Sequence, residues 1–414
     1  MSTSRLLSGL ALSCALVLIA PVTSVAQQLD DLRIDVAFLS SDLLEGRGTG
    51  TAGERLAADY IVDRFRDIGL EPGADGSWLQ SFEVRISANP HAAPGEGDAR
   101  TGHNVLGLLD NGAETTVVIG AHYDHLGYGG SGSRAPNEMA IHNGADDNAS
   151  GVAAIVEIAR RLTDKGPANN NYLFVAFSGE ELGLHGSKFL VDSPALADRN
   201  INYMINLDMV GRLNEERTLA VNGTGTSPAW GSALDAAAET ANLRLSRHES
   251  GLGPSDHASF YLADIPVIHL FTGQHEQYHR PDDDSQFINY DGLADVSTFA
   301  VEVIAALDDD GRLAFTETDD ESQNQQMSFS VTLGVMPDYV YDGEGLRIDA
   351  VLDGKSGDAA GLEGGDIVLR MGDREIGDVY AYMEALGAFE PGDTITVVVK
   401  RGDEEIEKTV TFQE

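Results

Sequence analysis

The sequence predicts an α/β fold: a central, mostly parallel sheet flanked by helices, followed by a small β-rich domain. Apolar runs at 115–121, 171–177 and 201–207 have the length of buried strands, and each is followed by residues that can bind metal. Val152–Leu162, which lies between the first two runs, has the pattern of a helix. Because sites in open α/β sheets form outside the carboxyl ends of the strands, we expect these residues to meet at one edge.

The chain opens with the layout of a secretory signal peptide over residues 1–26. Arg5 precedes an apolar stretch from Leu6 to Ala20, and Ser24–Ala26 offers small residues for cleavage. One alternative is a membrane anchor, although the stretch is short for a span of ~20 residues. Another is lipidation at Cys14, the single cysteine of the chain. We expect a periplasmic or secreted protein with no membrane span and no disulfide in the mature chain.

The charge balance excludes some classes of partner. The chain of 414 residues carries 67 acidic and 27 basic side chains, which gives a formal net charge of −40. Nucleic-acid binding requires neutralisation of phosphates, so this balance argues against it, and equally against anionic membrane surfaces. It favours solubility. It says little about the substrate, because bound metal ions can reverse the local field of a site.

Several short motifs place carboxylates and imidazoles at the predicted strand ends and in loops. The adjacent pair Glu180-Glu181 offers a division of labour, in which one carboxylate binds metal while the other handles protons. The alternative for this pair is an acidic first turn of a helix. Imidazole and carboxylate ligands suit zinc. The motifs, in chain order, are His122-Tyr-Asp124-His125, Gly144-Ala-Asp146-Asp147, Glu180-Glu181, Asn206-Leu-Asp208 and Tyr278-His279.

The five motifs in this order resemble the two-zinc aminopeptidase family of the bacterial leucyl aminopeptidases, over Leu32–Leu307. Glutamate carboxypeptidases and glutaminyl cyclases are more distant members of the same group. The resemblance implies a zinc-exopeptidase fold, two zinc ions per catalytic domain and peptide substrates. It also implies that a water bridging the metals attacks the peptide bond, with Glu180 as general base.

The resemblance assigns a role to each remaining site residue. It makes Asp147 the carboxylate that bridges both metals, and it alone selects Asp147 over the adjacent Asp146. One zinc would also be bound by His122 and Asp208, and the other by Glu181 and His279. Asp124 would be an acceptor that orients the His122 ring. The peptide bond after Asp147 would be cis.

Residues close to these motifs leave alternatives open. For His125 and His142 we favour polar loop histidines over ligands. Asp283 either orients His279 or belongs to a solvated run of aspartates. The segment Ser255-Asp256-His257 resembles one that the family carries near its active site. It serves either substrate positioning or a helix cap by Ser255 or Asp256.

The rest of the chain divides into recognisable parts. Residues 51–70 predict a helix with Leu56, Tyr60, Ile61, Phe65 and Ile68 on its core face. The catalytic domain is expected over 27–308, and the polar, acidic stretch 309–326 reads as a linker. Residues 327–414 resemble a bacterial PDZ domain, with strands at 346–352, 366–371 and 394–399. Its loop Leu333–Met336 would receive peptide C-termini.

The sequence is interpreted as an exported zinc aminopeptidase with a PDZ domain, and three other functions remain open. A carboxypeptidase or dipeptidase would share the metal set and would need basic residues for a substrate carboxylate, for which Arg212 and Arg280 are available. A glutaminyl cyclase would use one zinc, whereas His122 and Asp208 together favour two. A non-catalytic peptide-binding protein predicts lost ligands, and none is lost. The pocket wall is assigned only to Phe271 and Tyr278.

Overall fold

The computed structural model describes residues 25–86, 97–130, 132–135, 138–318, 331–338, 341, 343–352, 354–377, 379–402 and 404–413. The predicted signal peptide therefore lies outside the described residues, apart from its last two positions. The predicted linker is described only as far as residue 318. Within the described residues, no helix has the length and apolar character needed to cross a membrane.

The first domain alternates strands and helices, as the sequence predicts. Its helices are α1 Val25–Leu39, α2 Ala52–Ile68, α3 Gly151–Lys165, α4 His185–Val191, α5 Pro194–Ala197, α6 Trp230–Ala241, α7 His257–Tyr261 and α8 Tyr290–Leu307, with short 3-10 turns at Asp42–Arg47 and Ser285–Phe287. Its strands are β1 Glu71–Pro72, β2 Leu79–Ile86, β3 Asp98–Leu109, β4 Thr115–His122, β5 Asn170–Phe177, β6 Ile201–Leu207, β7 Thr218–Asn222, β8 Arg244–His248 and β9 Val267–Phe271.

These strands form one mixed sheet in the order β1-β3-β5-β4-β6-β9-β7-β8, with β2 paired to β3. The central strands β5, β4, β6 and β9 are mutually parallel. The flanking pairs β3/β5 and β7/β9 are antiparallel. The parallel arrangement predicted for the sheet is therefore confirmed for its centre, which is where the motif-bearing strands lie.

Each central strand sends alternate side chains to two separate cores. On β4, Val117 and Ile119 join the core that also contains residues of α1, α2, α3, α6 and α8. Val118 joins the core on the opposite face with residues of α4, α5 and α7. This period of two explains why the strands are apolar throughout: a strand covered on both faces has no solvated side.

Helix α2 begins where the sequence predicts but is oriented differently. Thr51 caps it by accepting a hydrogen bond from the Glu54 N–H. Ile61 and Phe65 are fully buried, as predicted, whereas Leu56 is 53% exposed. The prediction for Leu56 was wrong because Ala57 and Ala58, both fully buried, take the position against the core. Small residues allow the helix to approach closely there.

The C-terminal domain has its own sheet and its own apolar core. Gly334 adopts a positive φ of 69° just before β10, the last strand at one end of the sheet order β10-β11-β12-β14-β15. The three predicted strands are confirmed as β11, β12 and β14. The elements are β10 Val335–Pro337, β11 Leu346–Val351, α9 Ser356–Ala360, β12 Ile367–Met371, β13 Arg374–Glu375, α10 Val379–Leu386, β14 Thr394–Arg401 and β15 Glu404–Thr411.

Candidate metal centre and active site

The carboxyl ends of the central parallel strands bring the predicted motifs together. His122 is the last residue of β4 and lies beside Phe177, the last residue of β5, in the parallel register. Glu180 and Glu181 follow β5 after a tight turn, and Asp208 follows β6 directly. Three chain segments that are distant in sequence thus end at the same edge of the sheet, as expected for an α/β site.

Asp147 divides its two carboxylate oxygens between two groups of side chains. Its Oδ1 lies 3.2 Å from His122 Nε2, which is also 3.3 Å from Asp208 Oδ1. Its Oδ2 lies 3.1 Å from His279 Nε2, which is also 3.2 Å from Glu181 Oε2. The structure therefore brings all five predicted metal-binding residues into one cluster with Asp147 at its centre.

His125 belongs to the second group, which the sequence did not lead us to favour. Its Nδ1 lies 2.7 Å from Glu181 Oε1 and 3.8 Å from Asp147 Oδ2, and the side chain is almost completely buried. Among the described residues, donor atoms of His122, Asp147 and Asp208 form one candidate metal-binding group, and those of His125, Asp147 and Glu181 form another. The spacing of two histidines three residues apart at a strand end was the available signal.

His142 behaves as a loop histidine, unlike His125. Its ring accepts or donates at both nitrogens within its own loop, with Nε2 2.7 Å from Ser133 Oγ and Nδ1 3.0 Å from the Ala140 carbonyl. These contacts fully occupy the imidazole without a carboxylate. The preference for a loop role thus agrees with the geometry of His142 and disagrees with that of His125.

Asp146 points away from the cluster although it precedes Asp147 directly. Its Oδ1 accepts the Gly211 N–H at 2.7 Å, and its Oδ2 lies 3.3 Å from His275 Nε2. Asp283 is fully buried, and its Oδ2 accepts the backbone N–H groups of both Asp146 and Asp147, at 2.9 and 3.1 Å. Asp283 thus neither orients His279 nor joins a solvated run; it holds the turn that presents Asp147. The peptide bond from Asp147 to Asn148 is cis.

The imidazoles of the cluster are held by their second nitrogens. His279 Nδ1 lies 2.9 Å from the Gly132 carbonyl, so Nε2 faces the carboxylates. His122 Nδ1 lies 3.2 Å from the backbone carbonyl of Asp124 and 3.8 Å from its carboxylate. The Asp124 carboxylate instead accepts the Glu180 N–H at 3.2 Å and the Thr49 hydroxyl at 2.9 Å. Asp124 thus orients His122 mainly through its backbone and also supports the turn before Glu180.

The electrostatics of the cluster follow from burial and from close opposite charges. Burial lowers the pKa of His279, but contacts with Asp147 and Glu181 raise it to about 10. Burial and Asp147 raise the pKa of Glu181, but hydrogen bonds from His125 and His279 bring it down to about 2. Without metal, the imidazolium and carboxylate groups therefore neutralise one another.

Glu180 has the opposite tendency to Glu181. Burial and the neighbouring carboxylates of Glu181, Asp208 and Asp256 raise its pKa well above the usual value, against the opposing effect of His122. Two adjacent glutamates therefore have pKa values that are displaced in opposite directions. Such a separation is typical of sites that assign metal binding and proton transfer to different carboxylates.

A second set of buried polar groups lies beside the His122 half of the cluster. Asp256 is fully buried, with the Ser187 hydroxyl nearby, and among the described residues neither of its carboxylate oxygens has a hydrogen bond of good geometry. It occupies the position before α7 without making a side-chain cap. The ring of the adjacent His257 stacks on His269 at 4.6 Å. Ser255 accepts a hydrogen bond from Asn206 Nδ2 at 2.8 Å, which fixes this segment against β6.

Tyr278 and Phe271 are the residues proposed for the pocket wall, and Arg212 is one of those proposed for carboxylate recognition. Tyr278 stacks on His279 with ring centroids 3.9 Å apart, and Phe271 is 8% exposed. The Arg212 guanidinium donates to the Phe287 carbonyl at 2.7 Å and to Gln277 Oε1 at 2.5 Å.

The donor set of the cluster fits zinc. Imidazole nitrogens and carboxylate oxygens converge in two largely buried groups that share Asp147. A shared carboxylate is what a pair of ions about 3.5–4 Å apart requires.

Comparison with known proteins identifies two families that match parts of this chain. Residues 104–304 match the model of peptidase family M28, and residues 321–412 match that of the PDZ domain. A leucine aminopeptidase 1 of Fusarium vanettenii is 26% identical over 57% of this chain and 60% of its own length. The chain spans about half the length of the curated relatives it matches.

Solved structures extend the likeness to the fold. A zinc aminopeptidase from Bacillus subtilis superposes with a TM-score of 0.53 at 20% identity, over 67% of this chain and 94% of its own. A glutaminyl cyclase from Porphyromonas gingivalis superposes with a TM-score of 0.55 at 23% identity, over 68% of this chain and 98% of its own. At these identities the likeness establishes the fold, and it does not distinguish the two reactions.

Proposed function

The chain belongs to peptidase family M28 and carries a PDZ domain, and from that membership we propose that it is an exported, zinc-dependent aminopeptidase acting on peptides. The observation that carries the proposal is the position of Asp147, whose two oxygens face two separate groups of ligand-type side chains. A one-metal enzyme has no need of this division. Glu180 interacts electrostatically with members of both groups, His122 and Asp208 on one side and Glu181 on the other.

Each residue of the cluster receives a role from its contacts. Asp147 would be shared by two metal ions; His122 and Asp208 would complete one site, and Glu181 and His279 the other. Zinc, when bound, supplies a Lewis acid for the scissile carbonyl and lowers the pKa of a nearby water.

Glu180 would transfer the proton. Burial and the neighbouring carboxylates raise its pKa, which is the direction that lets a carboxyl group hold as well as release a proton. As a base it takes a proton from the attacking water, and as an acid it returns that proton to the leaving amine. The Asp124 carboxylate, which accepts the Glu180 N–H, holds this residue in place.

Two observations favour the amino end of a peptide over the carboxyl end. Asp256 offers a buried carboxylate, with the Ser187 hydroxyl nearby, close to Glu180 and Asp208, which suits a substrate ammonium group. Arg212, which a carboxypeptidase could use for a substrate carboxylate, donates through Nη1 to Phe287 and through Nη2 to Gln277, which leaves only Nε without a partner among the described residues. Arg280 is exposed. The cluster is therefore better suited to a cationic substrate terminus.

A substrate panel tests the proposal. Aminoacyl anilides, N-blocked peptides with a free carboxylate, and N-terminal glutaminyl peptides would each be assayed with and without chelator. We expect hydrolysis only of substrates with a free amino terminus, no cyclisation of the glutaminyl peptides, close to two zinc equivalents per chain, and loss of activity with chelator. Cyclisation of glutaminyl peptides by an enzyme with one zinc would replace the proposal with a glutaminyl cyclase.

The C-terminal domain would bind peptides in the manner of other PDZ domains. β10 lies at one end of the sheet order, so an extended peptide can add to it as a further strand. The loop Leu333–Met336 precedes and enters this strand, and the positive φ of Gly334 shapes it. Capture of a peptide C-terminus here would raise the local concentration of long substrates near the catalytic domain.

Export would place the enzyme in the periplasm or outside the cell. The pattern of residues 1–26 supports this location, and N-terminal sequencing of the purified protein tests it. We expect a mature N-terminus at Gln27. An intact Met1 in protein recovered from the native host would remove the export step.

A further inference from the structure

Arg47 lies outside the residues that match the peptidase family model, yet it reaches the centre of the molecule. It is 1% exposed and ends the 3-10 turn Asp42–Arg47. Its Nε donates to the Tyr123 carbonyl at 2.6 Å, and its Nη1 donates to the Asn143 carbonyl at 2.6 Å and to the Leu39 carbonyl. Its Nη2 donates to the Gly144 carbonyl at 3.0 Å.

Three of the four carbonyls that Arg47 binds belong to the two segments that carry metal-binding residues, and the fourth, from Leu39, belongs to α1. Tyr123 lies between His122 and Asp124 at the end of β4. Asn143 and Gly144 begin the turn that presents Asp147. A single planar guanidinium, whose N–H donors have fixed directions, therefore connects the two segments across the interior.

The backbone around Arg47 is fixed against the same segments. The Arg47 carbonyl accepts the His125 N–H at 3.3 Å, and the Gly46 carbonyl accepts the Gly127 N–H at 3.0 Å. Gly46 has a φ of 69°, and a Cβ at this position would lie 2.5 Å from the Gly127 carbonyl oxygen. The approach is thus too close for any larger residue.

Neighbouring residues of the same segment contact the remaining parts of the site. The Thr49 hydroxyl donates to Asp124 Oδ2 at 2.9 Å. The buried Glu54 carboxylate accepts the Tyr123 hydroxyl at 3.1 Å and the Ser178 hydroxyl at 2.7 Å, just before Glu180. The segment from 42 to 54 thus contacts the residues that follow β4 and β5, next to His122 and Glu180.

We propose that Arg47 is a positioning residue of the metal centre, which sets the separation between the segment that carries His122 and the turn that carries Asp147. The inference rests on the proposed two-metal function. Lysine could not reproduce the role, because one ammonium group cannot donate in the fixed directions of a guanidinium to carbonyls on three sides. The positive charge of Arg47 also offsets repulsion among the buried carboxylates above it.

The test compares Arg47→Lys and Arg47→Met with Arg64→Lys as a matched control. Arg64 is partly buried, with 24% of its side chain exposed, and it pairs with Asp35 at 2.7 Å and makes no contact with the cluster among the described residues. Purified full-length proteins would be stripped of metal and reconstituted with cobalt(II). The measurements are metal affinity by competition with a chelator, the visible absorption spectrum of bound cobalt, and the unfolding temperature without metal.

We expect both Arg47 variants to lose at least about tenfold in metal affinity, as changes behind metal ligands commonly do. The cobalt spectrum should change in shape, because the geometry of the donors changes, and Arg64→Lys should leave it unchanged. Arg47→Lys keeps the positive charge, so its metal affinity and cobalt spectrum test the inference even if Arg47→Met does not fold. Wild-type affinity and spectrum in Arg47→Lys would overturn the inference even if stability falls. Failure of the wild type to bind two cobalt ions would instead overturn the proposed function.

Discussion

At the scale of single residues, Glu180 and Glu181 differ in what surrounds them. Glu181 contacts two imidazoles, whereas Glu180 is surrounded mainly by carboxylates. We expect Glu180→Gln to retain metal and lose about 10²–10⁴-fold in turnover, because an amide cannot accept a proton. Glu181→Gln should instead lose metal. Metal analysis and kcat of both variants check this, and equal metal loss in both would mean that the roles are wrongly assigned.

His125 gives a second prediction at this scale. Because its Nδ1 contacts Glu181 at 2.7 Å, His125→Gln should weaken metal binding by about 10–100-fold, whether His125 binds metal directly or holds Glu181. The matched control is His142→Gln, since His142 is buried nearby but bonds only within its loop. Chelator titration measures both variants. Equal metal affinity in the two variants would leave His125 a structural residue.

The metal-free protein should have a characteristic dependence of stability on pH. The pKa of His279 is about 10 in the folded protein, against 6.5 for a free imidazole. Its contribution to the free energy of unfolding is therefore complete below pH 6.5 and is lost as the pH rises through 10. The pKa of Glu181 is about 2, so its contribution is complete above 4.5 and is lost as pH falls through 2. We expect the unfolding temperature with chelator to fall from pH 6.5 to 10.

Bound zinc should prevent most of this fall in unfolding temperature at alkaline pH, because the metal replaces the proton on the imidazole. Unfolding scans at pH 6 and pH 9, with chelator or with zinc, test the difference. His279→Gln serves as the control, since it lacks the titrating group and should show a smaller loss with chelator. An equal fall in the unfolding temperature of the variant would show that groups other than His279 cause the pH dependence.

At the scale of elements, the turn before α3 depends on a residue from a distant loop. Asp283 accepts the N–H groups of Asp146 and Asp147. Asp283→Ala should lower the free energy of unfolding by about 1–3 kcal/mol, because two buried donors lose their acceptor. It should also weaken metal binding through Asp147. Asp282→Ala is the control, since that side chain is exposed, and a similar destabilisation there would contradict the argument.

The elements also show how far the sequence alone could lead. Strands β4, β5 and β6 were predictable because strands covered on both faces are apolar throughout, and their last residues carry the motifs. The contacts of Asp283 and Arg47 were not predictable, because neither follows a periodic pattern and both bind backbone groups more than 70 positions away. The orientation of α2 was missed because alanines, with little apolar area, form its closest contact.

At the scale of the whole molecule, the first domain extends past α8 into the predicted linker. Leu313 is 7% exposed and its N–H donates to Asn202 Oδ1 at 2.8 Å, and Thr318 contacts Tyr261. A truncation that preserves these contacts should end after Thr318 rather than at Asp309. We expect that truncated protein to bind zinc and to hydrolyse small aminoacyl substrates at near the full-length rate.

Long peptides should respond differently to the same truncation. If the PDZ domain captures their C-termini, their kcat/KM should fall while that of small substrates is kept. Gly334→Val is the matched variant in the full-length chain, because a Cβ there would lie 2.2 Å from the Lys355 Cβ and would distort the loop. If neither change affects long peptides, the PDZ domain does not contribute to their capture.

The segment from Asp42 to Glu54 has a consequence for protein design. It contributes none of the proposed metal ligands, and yet the spacing of those ligands depends on its hydrogen bonds to Tyr123, Asn143 and Gly144. Grafting only the five predicted ligands onto a new scaffold would transfer the donor atoms without the hydrogen bonds that set the distances between them. A transplantable unit of this centre therefore has to include, besides the ligands, the buried guanidinium and the turn that delivers it.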